Sequence, residues 1–300
     1  MLSRFLSIAV KPIPAFFFLC LMAGRLLAQL EIQVTLAQDQ FIPGEAVEAA
    51  VRISNFTGRK ISLGDSRTWL RFDLDSSDGR VVTRLADVPE TGEFTLEPST
   101  RGTLRFDIQP QFEIARPGRY RLTATVMTPD GNQFTSRPTQ LEVIRGTRLW
   151  ERDFSVAGPP DQPDIRRKYV LQQATHLRSL RLYLRVTDAD EHEILKVINL
   201  GGIVSFNRPD CRVDRASRLH LLHQIDAETY RYHLVDTDGS LLQRRLHIIT
   251  ARRPELRVNE SGEVAVLGGE RRRHSSDFPV EIPSEPTPPP QDAAPTTPTP

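Results

Sequence analysis

Cysteine, lysine and long apolar runs are all scarce in this sequence. Its 300 residues include two cysteines, and of its 39 basic residues only Lys11, Lys60, Lys168 and Lys196 are lysine. Two cysteines exclude a disulfide framework and a cysteine-rich zinc module. With 39 basic and 38 acidic residues, the chain lacks the net positive surface that displaces counterions from phosphates, which argues against a nucleic-acid partner. Catalytic motifs are missing as well. There is no Gly-x-Ser-x-Gly elbow, no His-Glu-x-x-His helix and no phosphate-cradling glycine loop. Helical periodicity is nowhere sustained over three turns, and Arg167 to Leu180 is the one stretch that suits a short helix. What the sequence offers is location and architecture, with no named activity.

Residues 1–29 follow the order of a secretory signal peptide. Arg4 and Lys11 come first, then the apolar run Ala15 to Ala23, then Leu26-Leu27-Ala28 before Gln29. The run falls short of the ~20 residues a membrane helix needs, so the expectation is a cleaved leader and no membrane span after cleavage. Cleavage fits after Ala28 or Gln29. Phe17-Phe18-Leu19 lacks the small residues that precede a lipidated cysteine at Cys20. Loss of Arg4, Lys11 and Arg25 leaves the exported chain slightly acidic, with Cys211 as its one cysteine, read as a buried small apolar residue. The chain is expected to be periplasmic, secreted or at the cell surface. At the other end, nine prolines fall between Pro279 and Pro300. Residues 271–300 read as a disordered proline-rich tail.

Between these ends the pattern is β. Glu31-Ile32-Gln33-Val34, Trp69-Leu70-Arg71-Phe72 and Leu104-Arg105-Phe106-Asp107-Ile108 alternate, with arginine at many outward positions. Asp78-Gly79, Asp130-Gly131 and Asp238-Gly239 are hairpin signals, because Asp-Gly tolerates the positive φ of tight turns. Ser261-Gly262 is a weaker fourth. The fold class expected is all-β, with two antiparallel β-sandwich-like domains at 30–145 and 146–270. The boundary lies near Arg145 to Gly158, where Gly158-Pro159-Pro160 reads as a loop.

In the first domain, Pro43-Gly44-Glu45, Asn55-Phe56-Thr57-Gly58 and Pro117-Gly118-Arg119-Tyr120 carry a resemblance. The pattern resembles the immunoglobulin-like sandwiches of exported bacterial proteins, and more weakly the bacterial intracellular proteinase inhibitor fold. It implies a sandwich in which the Tyr120 hydroxyl bonds nearby backbone. No inhibitory residue carries over. Leu182 to Val197, Tyr232 to Ile248 and Leu256 to Leu267 read as hairpins, similar to hairpin or propeller-blade units of secreted bacterial proteins.

Candidate chemistry has ordinary explanations. His220 and His223 have metal-like spacing on a helix, but on a strand they point to opposite faces. Asp73, Asp75 and Asp78 miss the ligand spacing of a calcium loop, and Asp188 to Glu193 reads as a solvated turn. Arg271-Arg272-Arg273-His274 reads as a solvated linker, with an anionic polymer or lipid headgroup as its functional alternative. Asn55-Phe56-Thr57 and Asn259-Glu260-Ser261 match the N-glycosylation pattern without an assigned role. No catalytic, cofactor-binding or metal residue is assigned, and no cofactor is expected. The function expected is a non-enzymatic exported module that contacts another protein or a surface glycan. The alternatives are a protease inhibitor-like module in 30–145, or a hydrolase or metal enzyme that unites His220, His233 and an acid in one pocket.

Overall fold

A computed structural model describes residues 30–279. The leader and most of the proline-rich tail expected above lie outside them. The chain is all-β, and a single 3-10 turn at Gln109–Gln111 is its one helical element among the described residues. No helix there is long and apolar enough to cross a membrane. The N-terminal half comprises β1 (Leu30–Leu36), β2 (Gln40–Phe41), β3 (Glu48–Asn55), β4 (Ile61–Leu63), β5 (Leu70–Ser76), β6 (Phe94–Leu96), β7 (Arg101–Asp107), β8 (Gly118–Met127), β9 (Gln133–Thr135) and β10 (Thr139–Val143). The C-terminal half comprises β11 (Thr147–Val156), β12 (Ile165–His176), β13 (Ser179–Asp188), β14 (Ile194–Gly202), β15 (Asp210–Val213), β16 (Leu219–Gln224), β17 (Thr229–Val235), β18 (Leu241–Ile248), β19 (Glu255–Val258), β20 (Val264–Leu267) and β21 (Glu270–Arg272).

Alternation decides the N-terminal core. Sheet β1-β3-β7 turns Ile32, Val34, Val51, Ile53 and Phe106 inward, and sheet β2-β10-β8-β5 turns Leu141, Leu122, Val126, Phe72 and Leu74 toward them. Phe72 and Phe106 meet edge to face at 5.7 Å across the gap. All ladders are antiparallel except the two-residue parallel pair of β2 with β10. Gly118 opens β8 with φ of 156°, and the Tyr120 hydroxyl donates to the Arg116 carbonyl at 2.6 Å, as the sequence suggested. Removing that hydroxyl in Tyr120→Phe leaves the ring packed and the carbonyl short of a partner. It should cost about 1 kcal/mol in a urea-unfolding measurement.

The three expected hairpins form as β13-β14, β17-β18 and β19-β20. Sheet β11-β12-β13-β14 faces sheet β15-β16-β17-β18-β21 across Tyr169, Leu171, Leu182, Leu184, Leu219 and Leu221. The Tyr169 hydroxyl reaches over to the Ser217 and Asp236 carbonyls at 3.0 and 3.2 Å. The β19-β20 hairpin covers the far side of the second sheet, with Leu256, Val264 and Val266 on Leu222, Tyr230 and Tyr232.

One stretch that suited a helix proves to be strand, and one expectation needs correction. Arg167 to Leu180 is not a helix; most of it is β12, paired on both edges. Tyr169 and Leu171 face the second sheet while Ala174 packs with Ile42 and Tyr183 at the junction of the two halves, so burial on both faces erases the alternation. The tail expected from residue 271 does not start there. Arg271 and Arg272 belong to β21 on the edge of β18, and Phe278 exchanges backbone hydrogen bonds with Arg244. An open strand edge satisfies this segment's main chain whatever its side chains.

Candidate functional site

The histidines show what the sheet does with spacing. His220 faces the β19-β20 side, where its Nδ1 lies 2.9 Å from the Tyr232 hydroxyl and its Nε2 lies 3.3 Å from Asp214 Oδ2. Asp214 also accepts from Arg218 Nε at 2.8 Å and from the Ala216 and Arg218 amides. Burial lowers the His220 pKa against the pull of Asp214. A neutral imidazole satisfies every member of this buried group. His223 and His233 lie on the opposite face and stack at 5.4 Å, with Arg231 and Arg244 as charged neighbours. His220 and His233 therefore do not meet in one pocket.

The acidic segments are also accounted for. Asp73 pairs with Arg71, and Asp78 accepts from Ser76 Oγ at 2.6 Å and pairs with Arg80. In the β13-β14 turn, Glu191 folds inward. Burial alone would raise its carboxyl, but Arg148, Lys168 and Arg185 hold it below the usual range. Among the described residues, no group of three or more His, Cys, Asp and Glu is placed to hold a metal. Cys211 packs with the core between the two sheets, and burial pushes its thiol far up, which keeps it protonated and unreactive.

The feature without such an explanation is the connection between β5 and β6. Residues 77–93 exceed the ~12–15 residues beyond which unstructured connections are uncommon in compact domains. They run as a strap across the N-terminal half. Arg84 fastens it to the body of the half. Its guanidinium donates to the Phe72 carbonyl, lies 5.8 Å from the Phe112 ring centre and sits between Asp73 and Asp87. The Leu85 amide donates to the Gln111 carbonyl at 2.8 Å, and the Glu113 amide donates to that of Thr83 at 3.0 Å. Val82 and Val88 pack inward. Arg67 ties Glu90 at 2.5 Å. At the far end, a Cβ on Gly64 would stand 2.1 Å from the Gly92 carbonyl, so glycine is required there. What this framework presents outward is Val81, 94% exposed, and Leu85, 62% exposed. A groove of about 320 Å³ lies beside the strap, lined by Arg71, Arg84, Thr125 and Met127 among others.

Sequence patterning missed the strap because its core-packed residues, Val82 and Val88, follow no fixed period. The available signal was the gap itself: no alternation between Asp78-Gly79 and Phe94.

No family model matches this chain, and no curated protein matches it. Among solved structures, the sporulation control protein Spo0M from Bacillus subtilis is similar at 13% identity, over 57% of this chain and 90% of that one, with a TM-score of 0.27. A likeness of that size assigns neither fold family nor function.

Proposed function

We propose that this protein is an exported, non-enzymatic binding module built from two β-sandwich domains, the first of them immunoglobulin-like, and that it contacts another protein through the strap at 77–93. The observation that carries this reading is the pairing of rigid anchorage with apolar exposure: Arg84 is held by four groups while Val81 and Leu85 point to solvent. Fixed apolar side chains bind a partner at low entropic cost, and a few such anchors dominate most interfaces. The leader-like order of residues 1–29 supports export.

The test replaces both outward side chains, as Val81→Asp with Leu85→Asp, and places a photo-crosslinker at Val81 in the parent. The parent should form one discrete adduct with a protein of the exporting cell. The double variant should recover that protein about tenfold less well, with thermal stability unchanged because both sites are exposed. Equal recovery, or efficient turnover in a hydrolase screen, sinks the proposal.

The same strap gives a second reading its specific support, since a protease inhibitor also needs an extended, rigid and exposed segment. That reading expects stoichiometric loss of protease activity on titration. Cleavage of the strap without inhibition counts against it.

A further inference from the structure

Many arginines of this fold hold an acid. Arg59 takes Asp130, Arg71 takes Asp73, Arg80 takes Asp78 and Arg257 takes Glu255, each at 2.9 Å or less. Arg52, Arg101 and Arg105 differ. All three are exposed, and among the described residues their guanidinium groups make no ion pair, hydrogen bond or ring contact. Register puts them on one face of sheet β1-β3-β7, since residues directly opposite across a ladder point the same way. Arg52 stands between Gln33 and Thr103, Ser54 between Glu31 and Arg101, and Ala50 between Thr35 and Arg105. The intervening residues Ile32, Val34, Val51, Ile53 and Phe106 are buried, so this is the wet face. Arg52 is diagonal to both of the others, ~7–8 Å from each, and the outer two lie about 14 Å apart along β7. Acids bound the patch at both ends. Glu31 shares the row of Arg101, and Glu48 pairs with Asp107 two residues beyond Arg105. Asp107 turns its Oδ1 to the Val47 and Gln109 amides at 2.9 and 3.0 Å, away from Arg105.

We infer that this face binds a short stretch of an acidic polysaccharide. A guanidinium takes two oxygens of a carboxylate or sulfate at once, and these three are free to do so. Gln33, Thr35 and Thr103, exposed between them, suit the neutral hydroxyl groups that separate the charges of a glycan. A protein partner would need an apolar or aromatic anchor, and Ala50 is the one apolar side chain these three strands turn to that face. Duplex DNA or an anionic membrane carries unbroken charge, which would run onto Glu31 at one end and Glu48 at the other. A glycan with spaced charges meets the arginines and stops short of the acids. The site lies on a different sheet from the one the strap borders, and the inference does not rest on the protein contact proposed above.

The experiment measures binding of the purified protein to polygalacturonate, heparin and neutral dextran, with polyglutamate, phosphatidylglycerol vesicles and duplex DNA in parallel. One or both of polygalacturonate and heparin should bind and dextran should not. Affinity should fall about tenfold as salt rises from about 50 to about 200 mM, in keeping with three screened contacts. Arg52→Gln alone should lose about threefold, and Arg52→Gln, Arg101→Gln, Arg105→Gln together about thirtyfold. The control Arg59→Gln, Arg212→Gln, Arg257→Gln removes three exposed arginines that already hold acids. It lowers the net charge equally and should lose nothing, and neither should the strap variant. Circular dichroism checks that the triple variant folds, and the single variant reports on the same site with the least perturbation. Absence of binding to both acidic polysaccharides, unaffected Arg52 variants or an equal loss in the control overturns the inference. So does tighter binding to polyglutamate, vesicles or DNA than to either polysaccharide.

Discussion

Acidification from neutral pH to about 5 should strongly destabilise the C-terminal half while the N-terminal half keeps its stability. Every histidine of the chain, from His176 to His274, lies in the C-terminal half. His223 and His233 are wholly buried, and none of their ring nitrogens has a hydrogen-bond partner. Burial, reinforced by Arg231, lowers the His223 pKa to about 3. Burial, then His223, Arg231 and Arg244, holds His233 well below its ordinary value. Asp277, which neighbours Arg231, is too remote to reverse this. The sign follows from linkage. Above about pH 6.5 both rings are neutral in the folded and the unfolded chain, so pH has no effect on either. Below it the unfolded chain takes up protons that the fold refuses, and stability falls until the folded His223 itself titrates. At pH 5 that amounts to about 2 kcal/mol for each ring, against a typical domain stability of ~5–15 kcal/mol. His176, His220 and His247, all shifted down mainly by burial, act in the same direction. The two tryptophans report the halves separately, Trp69 in the N-terminal core and Trp150 on β11. Urea titrations of the Trp69→Phe and Trp150→Phe variants at pH 7.5 and 5 should move the Trp150 transition and leave that of Trp69 nearly in place. Replacing both rings, as His223→Leu with His233→Leu, should abolish most of the shift. A Trp150 transition indifferent to pH would refute this account.

The same residues show why sequence was a good guide in one half and a partial one in the other. In the N-terminal half each sheet has one wet face, so alternation from Leu30 to Leu36 and from Leu70 to Ser76 survives in the burial of the strands. In the C-terminal half, β16 is buried at all of its positions because a second sheet covers one face and a hairpin covers the other. Its run Leu-His-Leu-Leu-His-Gln has no hydrophilic phase to read. The separation of His220 from His223 was legible, since it needs only the period of a strand. The pairing of His223 with His233 was not, because it depends on the register of β16 with β17, which sets Leu221 opposite His233. Arg271 to Arg273 read as a linker for a related reason: three arginines carry no alternation, and only the free edge of β18 makes Arg271 and Arg272 part of a strand.

Asn55→Ala should be among the most damaging single changes in the N-terminal half, although asparagine in a loop invites the opposite guess. Asn55 ends β3 with no exposed surface. Its side-chain amide donates to the carbonyls of Arg59, Leu96 and Glu97 at 2.8, 3.0 and 3.2 Å, and its Oδ1 accepts the amide and hydroxyl of Thr57 at 3.0 and 2.7 Å. One side chain thus closes the turn after β3 and ties it to the end of β6, the strand into which the strap runs. Alanine fills none of these roles: it takes this donor from the buried Leu96 carbonyl and this acceptor from Thr57, while the Glu97 and Arg59 carbonyls keep bonds from Thr100 and Thr57. At ~1–3 kcal/mol for an unpaired buried group, the loss should be about 2–3 kcal/mol, a fall of roughly 8–15 °C in the melting temperature of that half. Asn55→Asp keeps the acceptor but aims a carboxylate at three carbonyls, so it should be worse at neutral pH. It should recover partly on acidification, as a protonated carboxyl regains one donor, and this is opposite in sign to the acid response of the C-terminal half. The amide is also fully committed, so the Asn55-Phe56-Thr57 pattern offers no free nitrogen for a glycan in the folded chain. Melting followed at Trp69 decides the matter: a midpoint for Asn55→Ala within about 2 °C of the parent would mean that the buried Leu96 carbonyl finds another partner and that Asn55 is not the tie between β3 and β6.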